Sequence, residues 1–105
     1  MYKVDKIIDG NTISVSPNWL MAGKSGNLVK INGYKLEITD KKVKFPEVFV
    51  KDLATNRLNS LIMDKIVDLR FRPTETGDAL NDGVLSCRVY YNDIDISNYF
   101  FEFDK

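Results

Sequence analysis

The groups best placed to do chemistry are three cations and two phenols. Lys30 lies between Val29 and Ile31, Lys35 follows Gly33 and Tyr34, and Arg88 shares one face of a later alternating run with Tyr90. Basic groups interleaved with aromatic rings suit single-stranded nucleic acid, because cations neutralise phosphates while rings stack on bases. The plainer alternative is that these are strand residues facing solvent. Glu37 is the other group of interest. It sits in a loop that leaves a strand, where a carboxylate can position or deprotonate water. Its neighbours Lys35, Leu36 and Ile38 are a poor set for hydrolysis. The chain has no histidine, which removes the commonest general base and zinc ligand. The lone cysteine, Cys87, falls in an apolar strand pattern and reads as a small core residue.

The chain length of 105 residues suits one domain, residues 1–105, with a core that needs no disulfide. Hydrophobic residues make up 44% and charged residues 29%, an ordinary globular balance. With 15 basic and 15 acidic residues the formal charge is zero. That balance argues against a protein whose main task is coating nucleic acid, but leaves room for a local basic patch. The sequence shows neither a signal-peptide pattern nor an apolar run of bilayer length, so a cytoplasmic protein without a membrane partner is expected.

These residues must be positioned by strands and a helix. Tyr2 to Ile8 and Thr12 to Val15 alternate around Asp9-Gly10-Asn11, a β-hairpin. Ser16-Pro17-Asn18 is expected to end the second strand, leaving Trp19 to Gly26 as a loop with Trp19 packed down. A third strand covers Leu28 to Asn32, and Gly33 turns the chain. Leu36 to Phe45 reads as a short extra hairpin or solvated loop, with Lys41, Lys42 and Lys44 on a solvated face. Pro46 and Glu47 open a helix. Its apolar stripe is Val50, Leu53, Ala54, Leu58, Leu61 and Ile62, joined by Arg57, and it ends near Asp64. Lys65 to Phe71 is a fourth strand, residues 73–83 a polar connection and Val84 to Tyr91 a fifth strand. Ile94 to Ile96 returns briefly, and Asp95 or Ser97 caps a last helical turn from which Tyr99, Phe100, Phe101 and Phe103 pack back. Three strands, a helix and two strands predict a mainly β (α+β) fold. Its expected form is a five-stranded Greek-key barrel of OB type, with one main helix after strand 3 and a short C-terminal helix.

Four stretches recur in a familiar order: Val4 to Thr12, Val29 to Tyr34, Leu61 to Leu69 and Gly83 to Asp93. In their sequence and spacing they resemble the staphylococcal nuclease-like (thermonuclease) family over nearly the whole chain. The resemblance implies an OB barrel and calcium-dependent cleavage of DNA or RNA. In that chemistry carboxylates hold the cation, a glutamate activates water and two arginines neutralise the phosphate. Carried over residue by residue, the site is degenerate. Asn11 stands where the resemblance places a metal-binding aspartate. Lys30 replaces an arginine and loses its bidentate fork. Lys35 replaces a second metal carboxylate, Ile38 the catalytic glutamate and Val84 the second arginine. Asp9 is retained, in a place where it equally caps the turn. Glu37 is one residue short of the catalytic position. Arg88 lies four residues beyond Val84, about 13 Å along a strand.

The expected protein is therefore a catalytically inactive nuclease-like OB domain acting as a binding module for a protein or a single-stranded nucleic acid. Lys30, Tyr34, Lys35, Arg88 and Tyr90 would bind the nucleic acid. No catalytic residue and no metal site are expected, and no cofactor, with calcium needed only if a divergent nuclease survives around Glu37. A third reading is an assembly subunit of a mobile element or virus, with Trp19, Met21 and the aromatic tail as contact surface.

Overall fold

The sheet closes into a barrel through the pairing of its first and last strands, and those two strands turn alternate side chains inward. A computed structural model describes residues 1–21, 23–39, 45–70, 80–81 and 83–105, residues 80 and 81 by their backbone. The strands are β1 (Tyr2–Ile7), β2 (Thr12–Met21), β3 (Lys24–Ile31), β4 (Ile66–Arg70), β5 (Leu80–Asn81), β6 (Val84–Tyr91) and β7 (Ile94–Asp95). Helix α1 (Glu47–Ile62) lies between β3 and β4, and a 3₁₀ turn covers Ile96–Tyr99. Barrel neighbours run β3-β2-β1-β4-β6, and β6 closes the ring by pairing with β3. Every pair in the ring is antiparallel except β3–β6, which is parallel, so the barrel is five-stranded and mixed. β5 and β7 are two-residue additions to β6.

The register puts the branched side chains inside. Val4 faces Val15, Ile13 faces Val29, and Ile31 faces Cys87, all of them buried. Cys87 is a core residue, as its strand pattern predicts. α1 covers the barrel with Val50, Ala54, Leu58 and Ile62, a stripe of one residue per turn that shares the core of the strands. Leu53 and Leu61 pack at its edge. Glu47 lies in the first turn and pairs with Lys51 at 2.9 Å. The helix stops at Ile62, two residues before the expected end. Asp64 then takes a left-handed conformation and donates its N–H to Val4 O.

The expected end of the second strand at Ser16-Pro17-Asn18 is overturned. β2 continues to Met21, and Trp19, Leu20 and Met21 pair with Gly26, Ser25 and Lys24. The ladder is irregular between Ser14 and Trp19, so Pro17 falls where no donor is required of it. Trp19 re-anchors the hairpin by donating its indole N–H to Leu28 O at 2.9 Å. Its ring lies so close over Gly26 that a Cβ there would meet it at 2.7 Å. Trp19 is buried, which removes it from any contact surface, and Met21 is half-buried.

The tail divides in two. Phe100 and Phe103 are buried, whereas Tyr99 and Phe101 are exposed and do not pack back as expected. The expected cap is present at Asp95, whose carboxylate accepts from Ser97 N. Arg57 of α1 forks onto the Glu102 carboxylate and lies 5.3 Å from the Phe100 ring centre, tying helix to tail. The Arg57 fork holds the Glu102 carboxyl below the ordinary carboxylate range, against an opposing effect of burial. Among the described residues no helix is long and apolar enough to cross a membrane.

Candidate anion-binding cleft

Three short segments meet where β3 leaves the barrel. The first is the β1–β2 turn. Asp9 accepts the Asn11 N–H through its carboxylate at 2.9 Å, so the retained aspartate does cap the turn. Asn11 O in turn accepts from Ile31 N at 2.7 Å, which fixes the turn beside the end of β3.

The second segment is β3 itself and the loop after it. Lys30 stands exposed between buried Val29 and Ile31. Asn32 N donates to Cys87 O, extending the parallel ladder by one bond. Gly33 adopts φ +117°. A Cβ there would lie 2.6 Å from Ser97 Cβ and 3.0 Å from Arg88 Nη1, so only glycine lets the loop approach β6 and the 3₁₀ turn. Lys35 is held by its backbone, whose N–H donates to Asp104 O at 2.7 Å, while its side chain is exposed.

The third segment brings Arg88 and the tail. Parallel pairing of Ile31 with Cys87 sets residue 88 beside the Asn32-Gly33 turn. Arg88 Nη1 donates to Asp95 Oδ2 at 3.1 Å, and its Nε is buried without a hydrogen-bond partner among the described residues. Lys105 Nζ donates to Ser97 O and Phe100 O, both at 3.1 Å.

Asn11, Lys30, Lys35, Arg88 and Lys105 thus line one cleft of about 500 Å³. Three of the sequence-predicted cations meet there. Lys105 is a fourth, and nothing in its local sequence pointed to it, since a tail lysine reaches the site only through tertiary packing.

The other predicted positions do not serve the cleft as expected. Tyr34, expected to stack on a base, is 5% exposed and belongs to the core. Its ring stacks on Phe100 at 4.0 Å, and its hydroxyl donates to Gly10 O at 2.7 Å. Burial pushes its phenol pKa far upward, with Asp9 adding to the rise and Arg57 opposing it. Tyr34 therefore lines the cleft as a packed wall, whereas Tyr90 is no part of it. The Arg70 guanidinium covers its ring at 4.0 Å, in a separate hollow that also holds Asp64, Asp68 and Asp93. Glu37 and Ile38 line a neighbouring cavity with Phe45 and Val50, so the shortened loop does not bring Glu37 to the cleft. Val84 pairs with Leu28 at the far end of the β3–β6 ladder, which leaves Arg88 as the residue of β6 that reaches the site. Lys41, Lys42 and Lys44, and all of the 73–83 connection except 80, 81 and 83, lie outside the described residues.

The cleft does not fit the calcium ion that the resemblance implies. Ammonium groups stand at Lys30 and Lys35, and the Asp95 carboxylate is engaged by Arg88 and Ser97 N. Among the described residues no three His, Cys, Asp or Glu side chains gather to hold a metal. What the arrangement can do is attract and orient an anion. No protein-family model matches the chain, and no curated protein matches it.

Proposed function

We propose that this chain is a non-catalytic binding module on an OB-type Greek-key barrel, a divergent relative of staphylococcal nuclease-like domains. Its cationic cleft holds the phosphate backbone of a single-stranded nucleic acid. The strand order supports the OB reading, since the first three strands of the ring are consecutive and the last two follow a helix. The observation that carries the function is the meeting of Lys30, Lys35, Arg88 and Lys105 in one cleft in a chain of zero formal charge. Concentrating cations locally gives a phosphate chain somewhere to bind without a basic protein as a whole.

Titrating the ¹⁵N-labelled protein with a single-stranded twelve-nucleotide DNA at low salt tests this reading. Amide shifts at Asn11, Lys30, Gly33, Lys35 and Arg88 are expected. Unperturbed spectra, or shifts confined to the hollow around Tyr90, would reject it.

A protein partner is the second reading. Its support is Phe49 and Phe101, 50% and 80% exposed along the grooves that flank α1. Phe101→Ser separates the readings, because it leaves oligonucleotide affinity unchanged if the cleft is the binding site.

A further inference from the structure

A cleft that binds a nucleic acid strand normally offers bases something to stack on. This one does not. Among the described residues the only ring on its lining is Tyr34. That ring is buried, with Phe100 parallel to it at 4.0 Å and Phe103 edge-on at 5.8 Å. Its hydroxyl is already used on Gly10 O. A base entering the cleft would meet ammonium groups, the Arg88 guanidinium, the amides of Asn11 and Asn32 and the aliphatic Leu36.

The cations are arranged for charge rather than for shape. Arg88, among the described lining residues the one able to fork onto a phosphate, has Nη1 committed to Asp95. The remaining three are lysines, which act as point charges. Lys105 is the most firmly placed of these. Its residue neighbour Asp104 donates its N–H to Glu37 O, accepts Lys35 N through its own carbonyl, and accepts Thr39 Oγ1 at 2.8 Å through its carboxylate. Two of the three Lys105 ammonium donors are spent on carbonyls, which leaves one for a ligand.

Resting on the reading of the cleft as a phosphate-backbone site, we infer that it recognises a phosphodiester chain by charge alone, with the bases outside, and that Lys105 is one of its binding residues. The ligand class is a phosphodiester strand whose bases and sequence are immaterial. Lys105 adds one phosphate contact, and the tail that carries it completes the site.

Fluorescence anisotropy with two end-labelled probes tests this. One probe is an oligothymidylate and the other an abasic phosphodiester chain of the same length. Binding of both within about threefold, with the same salt dependence, is expected. Lys105→Gln keeps an amide donor for the two carbonyls but removes the charge. It should weaken binding of both probes roughly fivefold at low salt and flatten the slope of log K against log salt by about 0.7, with Lys105→Arg restoring both. Amide exchange at Phe100 and Phe103, measured on the same variants, reports whether the tail still docks. An abasic probe bound ten times more weakly overturns base independence. A docked Lys105→Gln tail with wild-type slope, or a docked Lys105→Arg tail that restores nothing, overturns the role of Lys105. If neither probe binds at all, the functional reading falls and this inference with it.

Discussion

Arg88 donates to the Asp95 carboxylate at 3.1 Å, and the other oxygen of that carboxylate caps the 3₁₀ turn through Ser97 N. One acidic residue therefore neutralises the most buried cation of the cleft while holding the tail that delivers Lys105. Asp95→Asn keeps an acceptor for Ser97 N and removes the charge. Oligonucleotide binding should tighten, roughly three- to tenfold at low salt, and depend more steeply on salt. Anisotropy titrations at two salt concentrations check it, and unchanged affinity would contradict the assignment of Arg88 to the cleft.

Gly33 is the residue that allows Arg88 and the 3₁₀ turn to approach the loop. Gly33→Ala meets Ser97 Cβ at 2.6 Å and requires φ +117° of an alanine. A loss of at least about 2 kcal/mol is expected, from the left-handed backbone and the clash together. Urea unfolding measures it. A stability within about 0.5 kcal/mol of wild type would mean that the loop packs otherwise.

Tyr34→Phe separates the core role of this ring from a binding role. The substitution removes the hydroxyl donated to Gly10 O and leaves that carbonyl without the bond, at a cost of about 1–3 kcal/mol. Affinity for single-stranded DNA should not change. A folded Tyr34→Phe protein that has lost binding would restore Tyr34 as a ligand contact.

Glu102 makes stability pH-dependent on the acid side. Because the Arg57 fork lowers its folded pKa, the folded protein releases this proton at lower pH than the unfolded chain. Its contribution is complete above the ordinary carboxylate range and is lost as pH falls through the lowered folded value. Because solvent screens this pair, Glu102→Gln should cost about 1 kcal/mol at pH 7 and less near pH 3, which chemical unfolding at the two pH values measures. A cost that is the same at both would show that the pair contributes nothing through its charge.

Much of the barrel was legible because its strands follow a period of two and its helix a period near four. Val29 and Ile31, or Leu85, Cys87 and Val89, declare their inward face by alternation alone. The misjudged end of β2 arose at Pro17, which punctuates a sequence but sits harmlessly where the ladder is irregular. The site was half legible. Lys30, Lys35 and Arg88 stood out as cations in strand and loop positions. The closing of the β3–β6 ladder, which decides that Arg88 rather than Val84 reaches the cleft, is a long-range register that no local pattern carries. Tyr34 and Tyr90 were misplaced for a related reason. A phenol looks the same in sequence whether Phe100 buries it or Arg70 covers it. Lys105 was invisible for want of any motif around it.

The most direct test of the cationic cleft is the salt dependence of single-stranded DNA binding by wild type and by Lys30→Glu/Lys35→Glu, two exposed positions whose change leaves the core intact. For wild type, log K should fall linearly with log salt with a slope of about −0.7 for each phosphate contact. The double variant should bind at least tenfold more weakly at low salt, with a slope flatter by about 1.4. Equal slopes and affinities in the two proteins would contradict the account.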